Sequence, residues 1–280
     1  MSATVRPLAD ADLPAVAALS AASFGILLDD QPARARWLGR LAHPLRTDPG
    51  GSFAALADGR IVGVAQAIQR EGLWVLSTLA VDPRSQSAGA GRALLEHALA
   101  YGTPQRGLIV SSNDPRALRL YAQAGFTLLP TFHAQGAPRS AAAPPPAADL
   151  RELGTGELAT LGAISRELRG APHTAELEYV LARGARVLAL GARGFAVATA
   201  GQGVWLLAAR DEEAARTLLW SALAVVGESD RPSVRWLTGA QRWAVEVVVA
   251  AGLRVSTWGA LCVRGNPGPL APYIPSGPFA

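Results

Sequence analysis

Lysine is missing from this sequence: all 26 basic residues are arginine, set against 22 acidic ones for a net charge of +4. With Ala, Gly and Pro abundant, that usage reflects GC-rich coding and points to no function by itself. The arginines are scattered, as at Arg34, Arg36, Arg40 and Arg46 and again at Arg183, Arg186 and Arg193. No run of like charge forms and no basic stripe interleaves with aromatics, so a nucleic-acid partner is not expected. Cysteine is reduced to Cys262, which excludes a disulfide framework and suits a reducing cytoplasm. It lies in the apolar run 258–263 and reads as a small buried hydrophobe rather than a nucleophile. Long apolar stretches are absent too. The best candidate, residues 244–253, contains Glu246 and is too short to span a membrane. Residues 1–10 hold no apolar core of signal-peptide length. The expectation is a cytoplasmic protein with neither membrane nor nucleic acid as partner.

What is present supports a sizeable core, since 50% of the residues are hydrophobic and 17% charged. A chain of 280 residues makes one large domain or two ordinary ones. Residues 134–148, AQGAPRSAAAPPPAA, are low in complexity and carry Pro144, Pro145 and Pro146 in a row. Such a stretch favours extended polyproline geometry and serves as a semi-rigid linker. It separates residues 1–133 from residues 149–280.

The two pieces resemble each other. VRPLADADLPAVAALS (5–20) matches LRELGTGELATLGAIS (150–165), and DGRIVGVAQA (58–67) matches GARGFAVATA (191–200). GLWVL (72–76) matches GVWLL (203–207), and RALLEHALA (92–100) matches RTLLWSALA (216–224). RALRLYAQAGFTLL (116–129) matches QRWAVEVVVAAGLRV (241–255) around Ala124-Gly125 and Ala251-Gly252. These matches keep one order in both halves, which indicates an internal duplication.

Each half reads as mixed α/β with an antiparallel start. A strand at residues 5–8 precedes a helix whose first turn holds Asp10 and Asp12. Strands at 53–57 and 60–69 turn at Asp58-Gly59, a strong hairpin signal. A strand at 73–81 leads through a glycine-containing loop to a helix at 91–101 with apolar spacing at Leu94, Leu95, Ala98 and Leu99. A strand at 107–111 then precedes a helix opening at Asn113 or Asp114, with Pro115 in its first turn and Gly125 at its end.

The loop carries the chemistry. After Asp82-Pro83 come Gln86, Ser87, Ala88, Gly89, Ala90 and Gly91, and the helix opens at Arg92. Small residues let a ligand approach the backbone closely. A helix N-terminus offers unpaired N–H groups and a partial positive charge, a cradle for a pyrophosphate. A plain strand-to-helix turn would use glycines too. The longer pattern, LAV-D-P followed by Q-x-x-G-x-G and Arg-Ala-Leu-Leu, resembles the signature of the GNAT superfamily of acyl-CoA-dependent N-acyltransferases. The resemblance covers residues 5–132 and, more weakly, the second half. It implies two tandem GNAT-like domains in an α/β (α+β mixed sheet) fold, with a catalytic domain at 1–133 and a degenerate one at 149–280. It also implies acetyl-CoA as donor, no metal, and a small-molecule or peptide amine as acceptor.

Transferred to these positions, the resemblance implies that the amides of residues 86–92 grip the CoA pyrophosphate. It sets Leu79, Ala80 and Val81 beside the pantetheine and the thioester, with the Val81 N–H turned to the thioester oxygen. In SSNDPRALRLYAQAGF (111–126) it marks Asn113 as a pantetheine or water contact and Tyr121 as the acid that protonates the departing thiolate. Without it, Tyr121 would read as a core-covering helix residue. Ser77 and Thr78 stand where many members carry a carboxylate base, and neither is a competent base. Glu71, Asp29, Asp30 and His43 remain candidates, and the base stays unassigned.

Residues 23–51, with Phe24, Trp37 and several arginines, border the expected acceptor pocket. A non-catalytic acyl-CoA sensor or interaction module on the same fold is the alternative. Oligomeric state has no signature here. The second half is expected not to bind CoA: residues 83–91 align with Asp211, Glu212, Glu213, Ala214 and Ala215, and Tyr121 aligns with Val248. The last segment, GNPGPLAPYIPSGPFA (265–280), is too rich in proline for a central strand or helix yet carries Leu270, Tyr273, Ile274 and Phe279. It is expected to complete the amino-terminal half.

Overall fold

The computed structural model describes residues 3–85, 89–102, 105–139, 144, 147–199, 203–227 and 233–280. Residues 140–143, 145 and 146 of the expected linker lie outside them, and its first two, Ala134 and Gln135, fall in a strand. The chain forms two compact units, residues 1–107 and 108–280.

The first unit runs β1 (Thr4–Pro7), α1 (Leu13–Phe24), α2 (Gln31–Thr47), β2 (Ser52–Ala57), β3 (Arg60–Arg70), β4 (Leu73–Val81) and α3 (Ala90–Ala100). Strands β1 to β4 pair in sequence order, all antiparallel. The turn at Asp58-Gly59 has φ of 50° and 72° and that at Glu71-Gly72 has 46° and 80°, the double positive φ of a two-residue hairpin. At the start of α1, Asp12 accepts two bonds from Arg6, at 2.6 and 2.9 Å, and one from the Ala9 N–H at 2.9 Å. Leu13, Val16 and Ala17 of α1 meet Leu41 and Leu45 of α2 over Ala54, Val64 and Ala80 of the sheet. Each fully buried Leu or Val there contributes about 1.5–3 kcal/mol. Residues 23–51, read from sequence only as the border of an acceptor pocket, are mostly helix, chiefly α2. Asp30 caps it by accepting from the Ala33 N–H at 2.6 Å.

The second unit opens with β5 (Arg106–Ser111), whose first residues belong to unit one, and α4 (Pro115–Gln123). Then follow β6 (Thr127–Gln135), β7 (Leu150–Leu153), α5 (Gly162–Arg169), α6 (Thr174–Leu181), β8 (Arg186–Leu190), β9 (Gly194–Thr199) and β10 (Gly203–Ala209). The chain continues through α7 (Glu212–Val226), β11 (Ser233–Leu237), α8 (Arg242–Ala250), β12 (Arg254–Arg264) and β13 (Tyr273–Ile274). Its strand order is β5-β12-β6-β11-β10-β9-β8-β7, with β13 on β10. Helices α7 and α8 bury Leu218, Leu219, Leu223, Trp243 and Val247 against β9, β10 and β11.

That order exchanges strands between the repeats. β12, from the second repeat, lies between β5 and β6 of the first. β6 in turn lies between β12 and β11, and the β6–β12 ladder runs from Thr127↔Val263 to Gln135↔Arg254. The first strand after the last helix of each repeat, β6 or β12, thus pairs with a strand of the other repeat. The expectation for the tail is therefore corrected: β12 reaches the first repeat, whereas Tyr273 and Ile274 of the tail pair with β10 of the second. The reason is geometric, since a proline-poor strand of 11 residues sustains a ladder that the proline-rich tail cannot.

Candidate active site

Within the first unit, β4 delivers its end to the start of α3. Ala80 is buried, while Leu79 and Val81 are half-buried. Asp82 then turns the chain; its carboxylate accepts from the Arg84 N–H at 2.9 Å and from the Arg84 guanidinium at 2.8 and 3.1 Å. The Arg84 side chain is the main reason its carboxyl is lowered to about 2, with the Arg84 N–H second. Gln86, Ser87 and Ala88 lie outside the described residues. Gly89 is the N-cap of α3 at φ +82°, and a Cβ built on it would meet nothing within 4 Å. Left-handed backbone suits glycine, and the space beside it is open. Among the described residues no side chain caps α3, and the Ala93 N–H donates to Gly89 O at 3.0 Å. The expected pyrophosphate cradle thus falls at the first turn of α3, with Ala90 and Gly91 directly after the left-handed Gly89. Gly91 stands beside Val81: a Cβ there would lie 3.6 Å from the Val81 Cγ2.

Earlier on β4 the ladder breaks. Gln66 pairs with Thr78 but Ala67 with Leu76, which leaves Ser77 as an extra residue, a β-bulge. Helix α2 supplies a partner for the freed backbone: Arg40 donates to Ser77 O at 2.7 Å and to Thr78 Oγ1 at 3.2 Å. Arg40 also lies 4.6 Å over the Trp37 ring, and Trp37 donates to Ala17 O and Ser20 Oγ at 3.1 Å each. Phe24 meets Trp37 edge-on at 6.1 Å and, with Leu27 and Leu38, stays exposed. Sequence reading named Trp37 and its neighbouring arginines as a group; the i, i+3 spacing of Trp37 and Arg40 on one helix would have singled out the pair.

The candidate bases separate. Glu71 is in the turn at the opposite end of β4 from Val81, roughly 25 Å along the strand, so it is remote from that end. Asp30 is spent on capping α2, Asp29 is exposed, and His43 is buried in α2. The buried Asp48 belongs to the turn end as well. It accepts from Gln69 N–H, Arg70, Thr47 and Tyr101 between 2.7 and 3.0 Å.

In the second unit, Asn113 is exposed just before α4, and Asp114 caps that helix by accepting from the Arg116 N–H at 2.9 Å. Tyr121 is buried, 5% exposed. Burial first, then Cys262 and Asp114, raises its phenol far above the ordinary value, so it stays protonated across the neutral range. Burial likewise pushes the Cys262 thiol up to about 12, which makes it no nucleophile. His133, which the sequence reading missed, lies on β6, edge-on to Trp258 at 5.8 Å. Its Nε2 is buried without a hydrogen-bond partner among the described residues. Burial, then Arg235, lowers its pKa, which favours the neutral ring.

The corresponding helix of the second repeat begins differently. Asp211 caps α7 by accepting from the Ala214 N–H at 2.8 Å and receives Arg193 at 2.6 and 3.0 Å. Glu212 and Glu213 fill its first turn. Val248, opposite Tyr121 in the repeat, is fully buried on α8. No described helix is long and apolar enough to cross a membrane.

These features can be compared with known proteins. A model of the acetyltransferase (GNAT) family matches residues 14–126. A mycothiol acetyltransferase of Thermomonospora curvata is 30% identical over 148 residues, 44% of this chain and 50% of that protein. Another from Kineococcus radiotolerans is 36% identical over 132 residues, 44% of this chain and 42% of that protein. The chain thus spans about half the length of the curated relatives it matches. Among solved structures, an acetyltransferase from Pyrococcus horikoshii superposes with a TM-score of 0.83 at 15% identity, over 100% of this chain and 96% of that one. A tandem GNAT protein from the clavulanic acid biosynthesis pathway covers 94% and 98% with a TM-score of 0.62 at 16% identity. At these identities the likeness shows the fold.

Proposed function

We propose, from the match of residues 14–126 to the acetyltransferase (GNAT) family model, that the chain is a member of that family and transfers the acetyl group of acetyl-CoA to the amine of a small molecule or peptide. The observation that carries the reading is the start of α3: glycine at φ +82°, no side-chain cap and nothing within 4 Å of an added Cβ, in the loop that follows β4. The described amides of Ala90, Gly91 and Arg92, with Gly89 beside them, hold the pyrophosphate; Gln86, Ser87 and Ala88 complete the proposed loop. Leu79, Ala80 and Val81 line the pantetheine arm, and the Val81 N–H donates to the thioester oxygen as charge develops on it.

The amine attacks the acetyl carbonyl as its neutral form, and the C–S bond breaks. Tyr121, protonated at neutral pH, gives its proton to the leaving sulfur. Asn113 contacts the donor arm. Arg40 at the Ser77 bulge is a fixed cation on the acceptor side, and a cation disfavours protonation of an amine nearby. It thereby assists a site whose strand offers serine and threonine where a carboxylate base would serve. The proposed domain division is a catalytic domain at 1–133, a linker at 134–148 and a degenerate domain at 149–280.

The test is acetyl-CoA turnover read as free thiol across a panel of amines, amino acids and peptides, including the acceptor of the mycothiol acetyltransferases. Amine-dependent thiol release is expected. Tight acetyl-CoA binding with no release on any acceptor would replace the enzyme with a non-catalytic acyl-CoA sensor.

A further inference from the structure

In the second repeat, among the described residues, β10 and β11 pair in parallel at Gly203↔Ser233 and Val204↔Val234. Beyond that point β13 takes up the backbone of β10, antiparallel at Leu207↔Ile274 and Ala208↔Tyr273, and the Ala209 N–H donates to Pro272 O at 3.2 Å. The repeat aligns Gly203–Leu207 with Gly72–Leu76 and, one residue on, Ala208 with Ser77. The tail therefore seats at the level where the first repeat has its bulge.

The seat is built to read backbone. Gln241, 2% exposed, donates to Leu270 O at 2.6 Å and accepts from the Tyr273 N–H at 3.3 Å. Arg169, fully buried, donates to Phe279 O and Ala280 O at 2.8 Å each, and to Ala171 O and Pro172 O. His173, also fully buried, places Nε2 at 3.0 Å from Ala280 O and 3.2 Å from the Tyr273 hydroxyl. Apolar side chains lock the segment: Tyr273, Ile274 and Phe279 are at most 1% exposed, and Phe279 meets Trp205 and Tyr179 edge-on at 5.7 and 6.0 Å. At the entrance, Leu270 N–H donates to Leu168 O at 2.9 Å, and a Cβ on Gly268 would lie 2.5 Å from that same oxygen.

Buried Arg, His and Gln side chains demand acceptors and donors, since unpaired they are costly. Here the tail supplies them, and pairing of an extended segment to a strand with pockets for its side chains is the pattern of strand-addition peptide recognition. We propose that the cleft of the second repeat is a peptide receptor whose ligand is the chain's own residues 269–280, fused in cis. It holds the place that a donor and acceptor would need, so the chain takes one acetyl-CoA. The correspondence with a reaction centre rests on the proposed function; the receptor itself does not.

The experiment inserts a specific protease site after Asn266 in the full chain and cuts the folded protein. The cut tail is expected to stay bound through gel filtration and to exchange with excess labelled synthetic peptide 269–280. Gln241→Leu should weaken that peptide at least tenfold. Uncut, Gly268→Ala should speed hydrogen exchange at the Ala209 amide and leave acetyl-CoA binding unchanged. A tail that leaves on cutting while Ala209 keeps its protection and the melting temperature holds overturns the proposal. So does an uncut chain that binds two acetyl-CoA molecules. Peptide exchange is read without acetyl-CoA, so a chain that rebinds the peptide but not acetyl-CoA sinks the proposed function alone.

Discussion

Helices α3 and α7 descend from the same place in the repeat, yet one begins open and the other shut. α3 begins at a glycine with no side-chain cap, whereas α7 begins at Asp211, whose carboxylate occupies the orphan amide of Ala214 and is itself held by Arg193. Both solve the same problem of unpaired N–H groups. A capped start is the more stable; an uncapped start next to open space leaves the dipole for a ligand. The second difference runs parallel: a buried phenol on α4 against Val248 on α8. The pair teaches that two copies of one scaffold differ at the helix start and at the buried phenol, the two places where the proposed function puts anion binding and proton donation.

The comparison breaks hardest at Tyr121. Tyr121→Phe should cut turnover about 10²- to 10⁴-fold with acetyl-CoA affinity nearly intact, while Val248→Ala, its repeat partner, should leave the chemical step alone and cost only stability. Unimpaired turnover of the phenylalanine variant under chemistry-limited conditions removes Tyr121 from the mechanism. Next comes Gly89→Val, which forces a branched residue into left-handed backbone at about 1–3 kcal/mol and fills the open space. Calorimetry should show acetyl-CoA binding weakened by roughly tenfold or more, and unchanged affinity would move the donor site elsewhere.

A gentler probe opens the shut helix. Asp211→Ala should lower stability by about 1 kcal/mol through loss of the cap without creating a second acetyl-CoA site, because Glu212 and Glu213 remain and the tail occupies the cleft. Titration that finds two sites would refute the reading of the second repeat. The smallest effect is on pH. The folded pKa of His133 lies below its unfolded value near 6.5, so the unfolded chain binds more protons as acid is added. Stability should therefore be full above that value and fall below it. His133→Gln should flatten this dependence in melting curves between about pH 5 and 7, and an unchanged slope would show that other groups carry it.

Much of the donor end was legible because its signals are local. Alternation and Asp58-Gly59 announce the β2–β3 hairpin, β4 spans Leu73–Val81 as read, and glycine between strand and helix marks the left-handed start of α3 where the cradle is proposed. Helix α2 was hidden because Pro32, Gly39 and Pro44 look like breaks. Yet Pro32 falls in the first turn, where no N–H is needed, and packing of Leu41 and Leu45 carries the rest. Arg40 and the Ser77 bulge were invisible, since a bulge is a property of two strands in register. Strand exchange was equally out of reach: β6 and β12 have similar patterns, and nothing local says which repeat's edge each one meets.

That exchange has a consequence for how the protein is made. During synthesis β5 and β6 emerge early, but the strand that separates them, β12, is encoded by residues 254–264. Until those leave the ribosome, both hold open edges that can recruit the wrong neighbour. The first repeat therefore finishes last although it is translated first. A gene trimmed to residues 1–133 would encode the proposed catalytic residues without the strand that lies between β5 and β6.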